Sequence, residues 1–208
     1  MRLSVSNATQ LPASGFRSLQ ALEELRFHET DDPVRFAEEV NESGKCNLRY
    51  LRTGGEIAKR LFCSPCCTYP CLQVLKIVSI FRVEMVPRGM ASLKNLVKLC
   101  IWVKEFDKEG LQVLMGMPSL AHLEHGIIGG ANEKLIIGTD GFKLLKVFYF
   151  HYLRPRFAVE VKPTGGLRLT IAPGAMQALH YLRLDLNPMF VASDFFEDMG
   201  DEHLPGLA

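Results

Sequence analysis

The sequence predicts an α/β solenoid in which a curved parallel β-sheet lines the concave side, and loops and short helices form the convex side. Three observations support this prediction. One short apolar pattern recurs seven times along the 208 residues. Most of its copies follow one another at a nearly constant step. The end of each copy alternates with a period of two, which is typical of a strand, and does not continue as the longer apolar stripe of a helix.

The repeated unit is Φ-x-x-L-x-x-L-x-Φ, where Φ is apolar, and it extends over about residues 16–187. Its central apolar pairs are Leu22/Leu25, Leu48/Leu51, Leu72/Leu75, Leu96/Leu99, Leu120/Leu123, Leu145/Phe148 and Leu179/Leu182. The first six pairs are evenly spaced, and the seventh follows after a longer step. This consensus and spacing are typical of the leucine-rich repeat, whose units span roughly 20–29 residues. One unit buries too few side chains to offset its loss of conformational entropy, so neighbouring units must stabilise it.

The segments between and around the repeats differ in character. Residues 1–15 are polar and are interpreted as a lead-in of low expected order. In the fifth repeat His125 occupies an apolar column, and we interpret it as a tolerated edge residue. The step before the seventh repeat is about ten residues too long, and its Pro- and Gly-rich insert, 154–171, predicts a turn and an added strand. Residues 188–208 contain the start of an eighth repeat, so we expect a fragment or a truncated gene product.

The charge balance and the apolar segments exclude several classes of protein. Lys and Arg number 24 and Asp and Glu 23, a formal net charge of +1, which argues against nucleic-acid binding by bulk charge. No apolar run is long enough to span a membrane. The first residues lack the apolar core of a secretion signal, so the expected location is the cytoplasm.

The residues that could carry chemistry do not form a recognisable catalytic or metal site. Cys63, Cys66, Cys67 and Cys71 lie too close together for the two separated knuckles of a usual zinc site. The six histidines are scattered, and neither H-E-x-x-H nor G-x-S-x-G occurs. The acidic segment 194–202 is interpreted as solvated. We therefore predict no enzyme, no cofactor, no metal and no small-molecule substrate.

The predicted strands instead present a candidate protein-binding surface on the concave side. The strand positions between the apolar columns hold the one Trp of the chain, three of its five Tyr, and five Lys or Arg against three Asp or Glu. Aromatic and Arg side chains are enriched at binding hot spots, although strands favour aromatic residues in any case. The candidate binding residues are Arg26, Tyr50, Arg52, Lys76, Lys98, Trp102, His122, Tyr149, His151, Tyr181 and Arg183.

Three stretches resemble plant intracellular nucleotide-binding, leucine-rich-repeat disease-resistance proteins, and most closely those of grasses. The run G-L-Q-V-L-M-G-M-P-S-L-A-H-L at 110–123 is similar to their L-x-x-L-G-x-L-P-x-L-x-x-L stretch. Residues 135–148 resemble their I-G-x-x-G-F-x-x-L-x-x-F block. Residues 167–184 resemble their P-G-A-M block, with Gln177 at a position where that family usually has Pro.

The resemblance implies a protein-recognition module that senses effectors or packs on the nucleotide-binding module of a receptor. The chain has no G-x-x-x-x-G-K-[ST] phosphate loop, so the resemblance gives no reason to expect nucleotide binding here. The partner is therefore expected to be a protein, either an effector or a nucleotide-binding module. The alternative is a stand-alone leucine-rich-repeat adaptor or scaffold with no defence role.

Overall fold

The structure is a computed structural model, and it describes residues 2–5, 21–27, 30, 32–43, 47–63, 69–78, 83–128, 134–152 and 168–186. The described strands are β1 (Arg2–Val5), β2 (Glu24–Phe27), β3 (Tyr50–Thr53), β4 (Val74–Ile77), β5 (Lys98–Val103), β6 (His122–Ile127), β7 (Lys134–Ile137), β8 (Val147–Tyr152), β9 (Arg168–Ile171) and β10 (Tyr181–Leu186). The helices are α1 (Pro33–Ser43), α2 (Gly55–Leu61) and α3 (Lys108–Met115), with a short 3-10 helix at Arg88–Ser92.

Eight strands form one parallel sheet in the order β1-β2-β3-β4-β5-β6-β8-β10. Its register aligns the same position of successive repeats, so that Leu25, Leu51, Leu75, Leu99 and Leu123 are direct neighbours across five strands. The predicted α/β repeat fold is therefore confirmed. The strand β1 was not predicted from the sequence; it pairs with β2 and adds an edge strand from within the lead-in.

In the third to seventh repeats an apolar residue lies three positions before the first leucine of the central pair, and a turn explains this spacing. The backbone N–H of that leucine donates to the carbonyl three residues earlier, over 2.9–3.4 Å. The donor and acceptor pairs are Leu72 and Tyr69, Leu96 and Leu93, Leu120 and Met117, Leu145 and Phe142, and Leu179 and Met176. All ten side chains are buried. The turn therefore directs two apolar side chains into the core just before the strand begins.

Backbone hydrogen bonds also connect each repeat to the next. The carbonyl of Arg49 accepts from the N–H groups of both Gln73 and Val74, at 2.9 and 3.0 Å. The same paired acceptance recurs at Gln73, Val97, Ala121 and Lys146. Because each repeat satisfies polar groups of its neighbour, its stability depends on that neighbour as well as on its own core.

The convex side is irregular, as the sequence predicted. Helices α1 and α2 pack together near the first strands, and Phe36 of α1 stacks on Phe27 with the ring centroids 4.0 Å apart. Farther along, β7 and β9 form a separate two-stranded parallel sheet, and β7 contacts α3. The strand predicted at the end of the long insert is confirmed as β9, whereas its partner β7 was not predicted. Insert residues 154–167 lie outside the described residues.

Two polar residues occupy apolar columns of the core. Thr53 is fully buried, and its hydroxyl lies 3.4 Å from the carbonyl oxygen of Gly54. His125 is 1% exposed, with its ring 4.2 Å from that of Phe106 and 5.9 Å from that of Phe150. The interpretation of His125 as an edge residue was therefore wrong, because α3 and its preceding loop cover the convex side of this repeat with Phe106.

Candidate functional site

The outward side chains of the eight-stranded sheet form what we call the concave face, and the parallel register arranges them in rows. The first row runs Glu24, Tyr50, Val74, Lys98, His122, Val147 and Tyr181. The second row runs Arg26, Arg52, Lys76, Cys100, Glu124, Tyr149 and Arg183. The third row runs Trp102, Gly126, His151 and Asp185. All eleven predicted binding residues lie in these rows, at partly or fully exposed positions.

Four of these residues, Arg26, Arg52, Lys76 and Lys98, form what we call the basic group on β2–β5. The Arg26 guanidinium lies 2.6 Å from a carboxylate oxygen of Glu24 and 5.0 Å from the centroid of the Tyr50 ring. The same carboxylate also binds Arg2 of β1, at 2.9 Å. Glu24 is therefore already engaged, and its charge is shared between two arginines.

Among the described residues, the other three cations of the basic group have no such partner. Within the described part of the chain, no ion pair involves Arg52, Lys76 or Lys98. The Nε atom of Arg52 is buried and lacks a hydrogen-bond acceptor among the described residues. Arg52, Lys76 and Lys98 therefore present positive charge that the described residues do not neutralise. Arg52 also has a hydrogen-bond donor without an acceptor among those residues.

Five further predicted residues, Trp102, His122, Tyr149, His151 and Tyr181, form the aromatic group on β5, β6, β8 and β10. The Tyr149 ring lies 5.7 Å from that of His122 and 5.2 Å from that of Tyr181. The Trp102 indole stacks on the His151 imidazole at 5.1 Å, with 22° between the ring planes. Ring pairs at these distances attract each other more strongly than their buried area alone would predict, so each ring helps to hold its partner in place.

A glycine makes the Trp102 stack possible. Gly126 is the residue on β6 that lies between Trp102 and His151 in the third row. A Cβ atom at Gly126 would overlap with Cε3 and Cδ2 of Trp102, so a side chain here would displace the indole. Gly126 was not among the predicted binding residues because it has no side chain to bind a partner, although glycine inside a strand often marks a close approach.

Charged groups fix the far side of the stack. The Nδ1 atom of His151 lies 2.9 Å from Oδ2 of Asp185, and Nε of Arg183 donates to Oδ1 of the same carboxylate at 3.1 Å. The hydrogen bond from Arg183 holds the pKa of Asp185 below its ordinary value, so this carboxylate stays charged at neutral pH. Trp102, His151, Asp185 and Arg183 thus form a connected, preorganised arrangement.

Two ionisable groups next to the basic group, His122 and Cys100, are neutral at physiological pH. Burial lowers the pKa of His122, and Lys98 lowers it further. Cys100 is 8% exposed, and burial raises the pKa of its thiol to about 12, with Glu124 acting in the same direction. A protonated, covered thiol is a poor nucleophile, so Cys100 contributes packing to the concave face and not reactivity.

The remaining candidates give no second site among the described residues. No group of three or more His, Cys, Asp or Glu in the described ranges could hold a metal ion. Cys66, Cys67 and the acidic segment 194–202 lie outside those ranges. A groove of about 300 Å³ lies between the end of α2, residues 83–88 and the start of α3, and it contains none of the predicted binding residues. None of the described helices is long and apolar enough to cross a membrane.

A parallel repeat solenoid that presents clustered aromatic and basic side chains defines a protein of the interaction-module class. The chain belongs to the leucine-rich-repeat family: the family model described as "Leucine-rich repeat region" matches residues 43–208. Members of this class generally recognise proteins and do not catalyse reactions. No solved structure matches the chain.

Proposed function

We propose that the chain is the protein-recognition portion of a plant intracellular immune receptor, or of a relative of such a receptor, and that it binds its partner on the concave face. The supporting observation is the aromatic group, in which Trp102 is stacked on His151 and seated over Gly126. The resemblance of residues 110–123, 135–148 and 167–184 to the disease-resistance proteins supports the receptor context. The partner is an effector or the nucleotide-binding module of the receptor.

The geometry explains how such a surface would bind tightly. A large side chain that is already held in one orientation loses little conformational entropy when a partner covers it. Trp102, Tyr149 and Tyr181 offer three such rings, on β5, β8 and β10 of the same sheet, with polar edges that can hydrogen-bond at the rim. Truncation of a hot-spot residue typically costs about 2 kcal/mol or more, which corresponds to a roughly 30-fold loss of affinity.

The test uses the full-length transcript and the domain that it encodes. We expect a nucleotide-binding module in the same reading frame, and we expect that module, expressed separately, to co-precipitate with this chain. Trp102→Ala, Tyr149→Ala and Arg183→Ala should each weaken the interaction, whereas Lys59→Ala, an exposed change on α2, should not.

Two results would contradict the proposal. A transcript without an in-frame nucleotide-binding module would favour the stand-alone adaptor. Loss of solubility or of the circular-dichroism signal in the three concave-face variants would show that these side chains are structural and not binding residues.

A further inference from the structure

We propose that the basic group on β2–β5 binds an acidic segment of the partner protein, while the neighbouring aromatic group binds apolar side chains of that partner. This inference rests on the proposed recognition function and specifies the chemistry of the partner. The concave face then has two parts, of which the basic group prefers acidic side chains and the aromatic group prefers apolar side chains. Substitutions can alter each part separately.

The cations of the basic group lie close together on neighbouring strands. Arg26, Arg52 and Lys76 are direct register partners on three consecutive strands, so their backbones are about 4.8 Å apart. Lys98 lies on the next strand, one row away. Like charges directly opposite each other on neighbouring strands repel. An anion that spans these strands would relieve that repulsion, and the described chain supplies none to Arg52, Lys76 or Lys98.

The buried Nε atom of Arg52 also favours an anionic partner. Buried donors are almost always satisfied, and this one has no acceptor among the described residues. The guanidinium group matches a carboxylate in shape and can donate two parallel hydrogen bonds to it. A carboxylate of a partner that approaches the partly exposed Arg52 side chain would supply an acceptor that the described residues do not.

The charge distribution favours an acidic protein segment over a nucleic acid. On one side the row of cations ends at a carboxylate, since Glu124 lies in the same row on β6, two strands beyond Lys76. A continuous phosphate backbone that followed this row would meet Glu124, whereas a short acidic segment can end before it. The formal net charge of +1 offers little long-range attraction to a polyanion.

The experiment measures binding of a fluorescently labelled, tryptophan-free dodecapeptide with four acidic side chains and one Phe. Its control replaces every Asp by Asn and every Glu by Gln. We expect the acidic peptide to bind and the amide peptide to bind at least tenfold more weakly. We also expect the affinity for the acidic peptide to fall steeply with added NaCl, because ion pairs at a surface are screened.

Variants then assign the binding to the basic group. Arg52→Glu combined with Lys76→Glu should reduce the affinity for the acidic peptide at least tenfold. The matched control, Lys59→Glu combined with Arg60→Glu, reverses two exposed charges on α2 and should leave the affinity unchanged. Arg52→Gln with Lys76→Gln gives the same comparison without introducing repulsion, and circular dichroism verifies that all variants fold.

Several outcomes would overturn the inference. Equal binding of the acidic and amide peptides would do so. So would an unchanged affinity for the acidic peptide in both double variants, Arg52→Glu/Lys76→Glu and Arg52→Gln/Lys76→Gln. Equal or tighter binding of a single-stranded DNA dodecamer would instead show a general polyanion surface. If the module of the receptor loses binding with Trp102→Ala but not with Arg52→Glu/Lys76→Glu, the recognition function stands and the acidic partner does not. If neither change weakens that interaction, both fail.

Discussion

Replacing His125 by leucine should stabilise the solenoid, and the gain should increase as the pH falls. His125 is buried in an apolar column of the fifth repeat, against Phe106. Neither ring nitrogen of His125 has a well-formed hydrogen bond within the described residues. The backbone of Ile101 offsets only part of the effect of burial on the imidazole. Burial lowers the pKa of His125 from 6.5 to about 3, and His151 adds slightly to this shift. The leucine side chain matches the column and removes both unsatisfied atoms.

The magnitude follows from proton linkage. The unfolded chain protonates this histidine below pH 6.5, whereas the folded chain does so only near pH 3. Between pH 6.5 and pH 3 the unfolded state therefore binds more protons at this residue than the folded state does. The contribution of His125 to the free energy of unfolding is highest above pH 6.5 and falls as the pH drops from 6.5 towards 3. At pH 4.5, two pH units below the pKa in the unfolded chain, this linkage lowers the free energy of unfolding by about 2.7 kcal/mol. At neutral pH the unsatisfied nitrogens cost about 1–2 kcal/mol.

Urea unfolding at pH 7.5 and pH 4.5 measures both quantities. We expect His125→Leu to exceed the wild type by about 1–2 kcal/mol at pH 7.5 and by about 4 kcal/mol at pH 4.5. His180→Gln, at an exposed position, should match the wild type at both pH values. An advantage of His125→Leu that is the same at both pH values would refute the linkage argument, because the other titrating groups are common to both proteins.

Two further changes test the packing of the core and of the concave face. Gly126→Ala should displace the Trp102 indole, weaken partner binding and alter tryptophan emission, whereas Gly138→Ala, where an added Cβ meets nothing within 4 Å, should do neither. An unchanged emission spectrum in Gly126→Ala would show that the ring does not lie over β6. Leu99→Ala should lower the free energy of unfolding by about 2–5 kcal/mol, and Val97→Ala, at an exposed position, by less than about 0.5 kcal/mol. Equal losses would show that the leucine columns do not form the core.

The repeat could be predicted because the same apolar pattern recurs in successive units of the chain. A leucine at one position is weak evidence, but Leu51, Leu75 and Leu99 at equal steps require three equivalent environments, and the sheet register provides them. The inward and outward positions followed from the alternation within each strand. The register of the concave face was therefore available from sequence before any contact was known.

Features that occur once were harder to predict. The strand β1 is too short to show a period, and β7 pairs with β9, which lies far along the chain and outside the repeat columns. The role of Gly126 depends on an indole from the preceding repeat, and the burial of His125 depends on Phe106 in the segment before α3. Each of these is a contact between residues that the periodic pattern does not relate.

The chain offers one built-in reporter for recognition on the concave face, because Trp102 is its single tryptophan. The measurement is acrylamide quenching of Trp102 emission during titration with a tryptophan-free nucleotide-binding module or effector. Binding on the concave face predicts that quenching decreases in step with complex formation, and that Lys59→Glu on α2 leaves this change intact. Saturated binding with unchanged quenching would show that the partner binds elsewhere, and would contradict the assignment of the concave face as the recognition surface.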